Sequence, residues 1–280
     1  MRSCLLRAAR RPLTSCGVTR SAIRCPFPMG LCLLVAGLCL CQSVSAESAA
    51  WIVVGMTGQS ADRDELTGYA REVQSAFAHR GLASTNIHLL SESVTRDGIL
   101  AALGDAAKLD HSDDFWLVLL GHSGRTQGNQ AAFQVPGRRL TADDLRAALE
   151  KVPARKWIFI GTDRGGAFLP ALKMPDCTAL SATEEQGEVD SPRFTGNWVR
   201  LFAEHPRASF AESAARASEA TAADYERLQV LQAEHALLLD TNGVVLRAPF
   251  GATTNPPAPP APPPRPPGAY RGRQLSSAVN

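Results

Sequence analysis

Acidic residues are absent from the first 46 positions of this 280-residue chain, although these positions hold six arginines. Without this stretch the chain has 23 basic and 27 acidic side chains, so the overall charge of +2 arises in the first 46 residues. Binding to nucleic acid requires a basic surface, which the remaining composition does not supply. We therefore expect no nucleic-acid partner.

Cysteine is almost absent beyond the same stretch. Six of the seven cysteines lie in the first 46 residues, and only Cys177 follows. A single thiol excludes an internal disulfide in the rest of the chain, so its stability must come from a packed core. No two histidines have the spacing of metal ligands, and we predict neither a metal nor another cofactor.

The N-terminal stretch has the pattern of a secretory signal peptide. Arginines come first, an apolar run follows at 29–41, and small residues end at Ala46, after which we predict cleavage. An apolar run of about 13 residues is shorter than the roughly 20 that span a bilayer, so we expect no stable membrane span after cleavage. The mature protein is then periplasmic or secreted. A retained anchor, lipidation at Cys39 or Cys41, and translation from Met29 are alternatives.

The other end of the chain is rich in proline. Residues 252–280 hold nine of the 19 prolines and no acidic residue. Such a segment forms neither helix nor sheet, so we predict a disordered, extended tail. The predicted organisation is a signal peptide at 1–46, an α/β domain at 47–251 and this tail.

Short apolar runs alternate with amphipathic stretches between the two ends. The predicted strands are 51–55, 86–90, 115–120, 156–161 and 177–183. The predicted helices are 62–79, a helix capped by Thr95, a helix capped by Thr141, a short helix at 167–172 and a long one at 209–234, and 121–139 resembles a hairpin. This alternation predicts a mostly parallel sheet with helices on both faces.

Polar residues follow two of the predicted strands. His122 comes directly after one, and Thr162 and Asp163 come after another. The carboxyl ends of neighbouring parallel strands meet at one edge of a sheet, where function collects. Histidine side chains exchange protons near neutral pH, so His122 is a candidate general base, with a structural histidine in a tight turn as the alternative.

The motif "GHSG", followed by "LTADDLRAALEKVPARKWIFI", resembles the caspase and legumain group of cysteine peptidases, especially bacterial legumain-like proteins. The resemblance covers about 51–204 and implies a caspase-like three-layer sandwich, with a mostly parallel sheet flanked by helices. It implies that His122 is the general base and that a backbone N–H at Ser123 or Gly124 helps to hold the oxyanion. Gly165, in the loop after the predicted strand 156–161, is a further candidate for a backbone N–H that holds the oxyanion.

The nucleophile of that family is missing. Its cysteine is replaced by Thr162 or Asp163, depending on whether Gly165 or Gly166 is aligned, and Cys177 comes about fifteen residues later. Neither a hydroxyl nor a carboxylate replaces a thiolate. The sequence therefore predicts a degenerate peptidase homologue that binds a peptide or protein segment. An active cysteine endopeptidase that uses His122 is the alternative.

A serine hydrolase is a second alternative, because "GHSGR" approaches the Gly-x-Ser-x-Gly elbow with Ser123 as the nucleophile. Arg125 stands where that motif has its last glycine.

Two further residues, Arg63 and Glu184, follow predicted strands and are candidates for substrate binding, with a solvated surface role as the alternative. The oligomeric state is left open.

Overall fold

A computed structural model describes most of the predicted domain. The described residues are 48–57, 60–91, 93–186, 189–243 and 245–247. The predicted signal peptide, its cleavage site after Ala46 and the proline-rich tail at 252–280 lie outside them. Within the described part of the chain, no helix is both long enough and apolar enough to cross a membrane.

The main sheet has seven strands in the spatial order β10-β9-β8-β7-β3-β1-β2. Their bounds are β1 Ser48–Val54, β2 Ile87–Leu90, β3 Asp114–Leu120, β7 Arg155–Gly161, β8 Cys177–Ser181, β9 Leu237–Leu239 and β10 Val245–Arg247. The five strands from β2 to β8 are mutually parallel, whereas β9 is antiparallel to β8 and β10 to β9. The sheet is thus mostly parallel, as predicted.

Helices cover both faces of this sheet. They are α1 Ser60–His79, α2 Arg96–Ala106, α3 Ala142–Leu149, α4 Arg193–Glu204 and α5 Phe210–Leu228. On one face Phe77, Trp198 and Phe210, from α1, α4 and α5, share a buried cluster with strand residues. On the other face Ile99 of α2 and Leu145 of α3 do the same. Continuous apolar strands require this double cover, and the result is the predicted three-layer α/β sandwich.

A small antiparallel sheet inserts between β3 and α3. Its strands are β4 Ser123–Arg125, β5 Ala131–Phe133 and β6 Leu140–Thr141, in the order β4-β5-β6. It begins one residue after His122, where the sequence indicates a hairpin. Thr141 then caps α3 through a capping box with Asp144, and Thr95 caps α2 by accepting from Gly98 N at 3.2 Å, as the sequence predicts.

The chain after α4 differs from the sequence prediction. The predicted helix at 209–234 ends at Leu228, because Gln229 adopts a left-handed conformation at φ 55°. The strands β9 and β10 were not predicted. β9 consists of three leucines, a run too short for a periodic signal, and it pairs with β8 on one side and with β10 on the other. The predicted helix at 167–172 is a 3-10 turn at Gly165–Phe168.

Candidate functional site

His122 and Asp163 follow two neighbouring strands. β3 and β7 pair in parallel as far as Leu120 opposite Gly161, so the next residues leave the sheet at the same edge, here called the carboxyl edge. The backbone N–H of Ser123 donates to Asp163 Oδ1 at 2.7 Å, and this bond joins the two loops directly. The structure therefore brings together the two loops that the sequence singled out.

The hydroxyl of Ser123 is engaged on every side. It lies 3.2 Å from Asp163 Oδ1, to which it donates, and it accepts from Thr162 Oγ1 at 3.0 Å and from Arg164 N at 3.1 Å. Ser123 is only 4% exposed and Thr162 is fully buried. These groups tie two loops together, and a nucleophilic role for Ser123 or Thr162 would first require this network to open.

The three backbone N–H groups expected to hold an oxyanion are already bonded. Ser123 N donates to Asp163, and Gly165 N donates to Thr183 Oγ1 at 3.1 Å. Gly124 pairs with Ala132 in the β4–β5 ladder, at the same parity as the bonded pair of His122 and Gln134. The arrangement thus differs from the predicted oxyanion hole, because each of these N–H groups donates to an acceptor within the protein.

His122 is positioned by the glycine before it. Gly121 has φ +146°, a conformation that L side chains rarely adopt, and a Cβ there would lie 3.3 Å from the backbone of Gly55. The carbonyl of His122 accepts from Gln134 N at 2.9 Å. The imidazole is half-buried and lines a small cavity between the carboxyl edge, α1 and α4.

This cavity has a volume of about 70 Å³. Its walls are formed by the ends of β3 and β7, the first turns of α1 and the start of α4, and its lining residues include His122, Gly161, Asp62, Glu65, Tyr69, Asp190 and Thr195. It adjoins a larger groove of about 590 Å³ between α1 and α4, with which it shares the lining residues Glu65, Tyr69, Ser191 and Pro192. Cavity and groove together are here called the His122 groove.

Two contacts shape the inner end of this groove. The Tyr69 hydroxyl donates to Glu65 Oε1 at 2.5 Å, and burial, then this bond, raises the pKa of Tyr69 far above its usual value. Gly161 allows α4 to approach the strand end, because a Cβ there would lie 2.9 Å from Cγ2 of Thr195. The phenol therefore remains protonated and fixes the Glu65 carboxylate at the cavity wall.

The other predicted substrate-binding residues lie elsewhere. Arg63 is exposed and lines a separate groove of about 480 Å³ beside the ends of β1 and β2. Glu184 follows β8, and its Oε1 lies 3.9 Å from His235 Nδ1. The structure does not bring either residue to the cavity beside His122. In the described ranges, no three His, Cys, Asp or Glu side chains cluster as a metal site requires.

Cys177 lies at the opposite end of the sheet from His122. It begins β8 and pairs with Lys156 near the start of β7, whereas His122 follows the end of β3. Burial raises the pKa of the Cys177 thiol to about 12, although the Lys156 amine acts in the other direction. The thiol is therefore too far from His122 to act with it, and it is protonated, whereas the reactive form of cysteine is the thiolate.

Most of the residues that line the cavity carry no functional signal in the sequence. Thr195 and Tyr69 are placed there by α4 and α1, whose positions depend on packing between helices. Neither residue has a local motif, since each belongs to an ordinary amphipathic helix. Gly161 was visible as the last residue of a predicted strand, but nothing in the sequence marked its close contact with Thr195.

Comparisons with known proteins identify no family for this chain. No family model matches the sequence, and no curated protein is similar to it. Among solved structures, the chain is similar to protein GSU0716 from Geobacter sulfurreducens, with 17% identity and a TM-score of 0.46. That similarity covers 61% of this chain and 87% of the other.

Proposed function

We propose that this protein is an exported, non-catalytic relative of the caspase and legumain group that binds an extended peptide segment in the His122 groove. One observation carries the proposal. The resemblance puts Thr162 or Asp163 at the position of the family's nucleophile, and Asp163 accepts hydrogen bonds from the N–H and the hydroxyl of Ser123. A carboxylate held in this way joins two loops and is a poor nucleophile towards amides.

The dimensions and lining of the His122 groove support peptide binding. Its outer part, about 590 Å³, lies within the range of roughly 300–1,000 Å³ that is typical of ligand sites. Tyr69 and Pro192 offer apolar surface. Arg200 uses donors of its guanidinium on Glu204 and Asn197, and this group carries five N–H donors, so others are left for a ligand. A peptide in this groove would lie across α1 and α4 with one side chain beside His122.

Export is part of the same proposal and rests on the sequence pattern of the first 46 residues. An arginine-rich start, an apolar run and small residues up to Ala46 are typical of a signal peptide. We propose a periplasmic or secreted location, in which the peptide partner is another exported or extracellular chain.

The test is to incubate the full-length protein with a mixed library of short, capped peptides. We expect a subset to be retained on the immobilised protein and no cleavage by mass spectrometry. The His122→Ala variant should bind this subset less tightly, by about threefold, because one wall contact is lost. Cleavage that disappears in His122→Ala would show an active peptidase and would overturn the proposal.

A further inference from the structure

We propose that the cavity beside His122 accepts the positively charged end of a lysine or arginine side chain, which makes the ligand a basic peptide. This inference rests on the proposed peptide-binding function and names its ligand class. Three features of the cavity carry it: the sign of the charges in its walls, an unpaired buried hydroxyl, and its volume.

The charged residues of the cavity wall are all acidic. Asp62, Glu65 and Asp190 line it, and none of the described residues that do so is a lysine or an arginine. Arg193 and Arg200 line only the outer groove, together with Glu72 and Asp224, and Arg200 Nη1 pairs with Glu204 Oε2 at 3.0 Å. A cation is therefore attracted to the inner end of the groove, and an acidic side chain is repelled there.

Thr195 supplies the second feature. It lines the cavity and is only 3% exposed, yet its Oγ1 has no hydrogen-bond partner within the described structure. Buried hydroxyls without a partner are uncommon, because leaving water without a replacement bond is unfavourable. A ligand group that donates a hydrogen bond would satisfy this oxygen, and ammonium and guanidinium groups are such donors.

The cavity volume selects the size of the ligand group. About 70 Å³ corresponds to roughly two water molecules, so the space suits the head of one side chain and excludes a large ring. Because the outer groove adjoins the cavity along four shared residues, the aliphatic stem of the lysine or arginine would lie in that groove. The imidazole of His122 contributes an acceptor nitrogen in its neutral form.

The first experiment compares three capped peptides that differ at one central residue: arginine, its neutral isostere citrulline, and glutamate. Binding to the full-length protein is measured by calorimetry at neutral pH. We expect the citrulline peptide to bind at least about tenfold more weakly than the arginine peptide, since hydrogen bonds to charged groups are the stronger ones. The glutamate peptide should bind more weakly still. Agmatine, a guanidinium ligand without a peptide bond, serves as the separate probe of the cavity.

Variants then locate the effect. Glu65→Gln should weaken binding of the arginine peptide about tenfold, whereas Glu72→Gln, the same charge change in the outer groove, should weaken it less than about threefold. Thr195→Val should weaken binding about threefold while the melting temperature stays the same or rises, because it removes a hydroxyl that has no partner. A purely structural role of Thr195 would not produce this combination.

The outcomes separate the two proposals. Equal binding of all three peptides would overturn the cation pocket and leave peptide binding intact. Binding of agmatine that Thr195→Val weakens, with no peptide bound, would overturn the proposed function and retain a cation site. Absence of binding by both the peptides and agmatine would overturn both.

Discussion

The surroundings of polar side chains differ between the two ends of the parallel strands. At the carboxyl edge, Ser123, Thr162 and Asp163 form a hydrogen-bonded network beside an open cavity. At the amino edge, Cys177 and Lys156 are buried next to each other at the starts of β8 and β7. The first arrangement leaves space for a ligand next to His122. The second leaves none around the thiol.

This difference shows that position in the fold outweighs the intrinsic reactivity of a side chain. Thiol and amine are the more nucleophilic groups, yet burial raises the pKa of Cys177 to about 12 and lowers the pKa of Lys156. Both shifts favour the neutral forms, because a charge is poorly solvated inside the protein. The hydroxyls and the carboxylate at the other edge are polar but held by their neighbours.

The largest expected effect concerns Cys177. At pH 8 we expect alkylation of this thiol in the folded protein to be about a thousandfold slower than in urea, because little thiolate forms when the pKa is about 12. Mass spectrometry of the Cys177 peptide measures the rate separately from the cysteines of the first 46 residues. Equal rates in the two conditions would remove the contrast between the edges.

The second prediction concerns the network at the carboxyl edge. Asp163→Ala removes the acceptor of the Ser123 N–H and of its hydroxyl, and we expect the free energy of unfolding to fall by about 2 kcal/mol. Urea unfolding measures the change. The control is Asp143→Ala, because Asp143 is an exposed carboxylate in the first turn of α3. If both variants unfold alike, the network does not hold the loops together.

The smallest expected effect concerns an ion pair between the first turns of α2 and α3. Arg96 Nε donates to Asp144 Oδ2 at 2.8 Å, and this arginine holds the pKa of Asp144 far below its usual value. A lowered pKa in the folded state means that the pair stabilises the fold above about pH 4 and that this contribution is lost as the pH falls further. In Asp144→Asn the free energy of unfolding should therefore fall less steeply as the pH is lowered below about 4. At neutral pH this variant should lose less stability than Asp163→Ala.

The matched control for that profile is Asp97→Asn. Asp97 pairs with the same arginine at 2.6 Å, but its side chain is 86% exposed, so water screens the interaction. Stability measured by urea unfolding between pH 3 and pH 7 should follow the unmodified protein. An equal flattening in both variants would show that burial at Asp144 adds nothing.

The sequence predicted the parallel strands well because most of them are rich in apolar residues, with β3 and β7 as the clearest runs. It also predicted the caps at Thr95 and Thr141, since capping depends on residues within one turn. It missed β9, because its three leucines form a strand through pairing with β8 and β10, which tertiary structure brings beside them. Of the candidate site, it identified the loops of His122 and Asp163, but it could not show that Arg63 and Glu184 lie outside the cavity beside His122.

The amino-acid sequence by itself determined the α/β class and the edge at which His122 and Asp163 emerge, because both follow from the order of strands and helices. Only the tertiary structure decided that Asp163 binds the Ser123 backbone, that Cys177 lies at the far end of the sheet, and that Thr195 reaches the cavity wall. Those contacts join residues distant in sequence, and packing of helices against the sheet sets their distances.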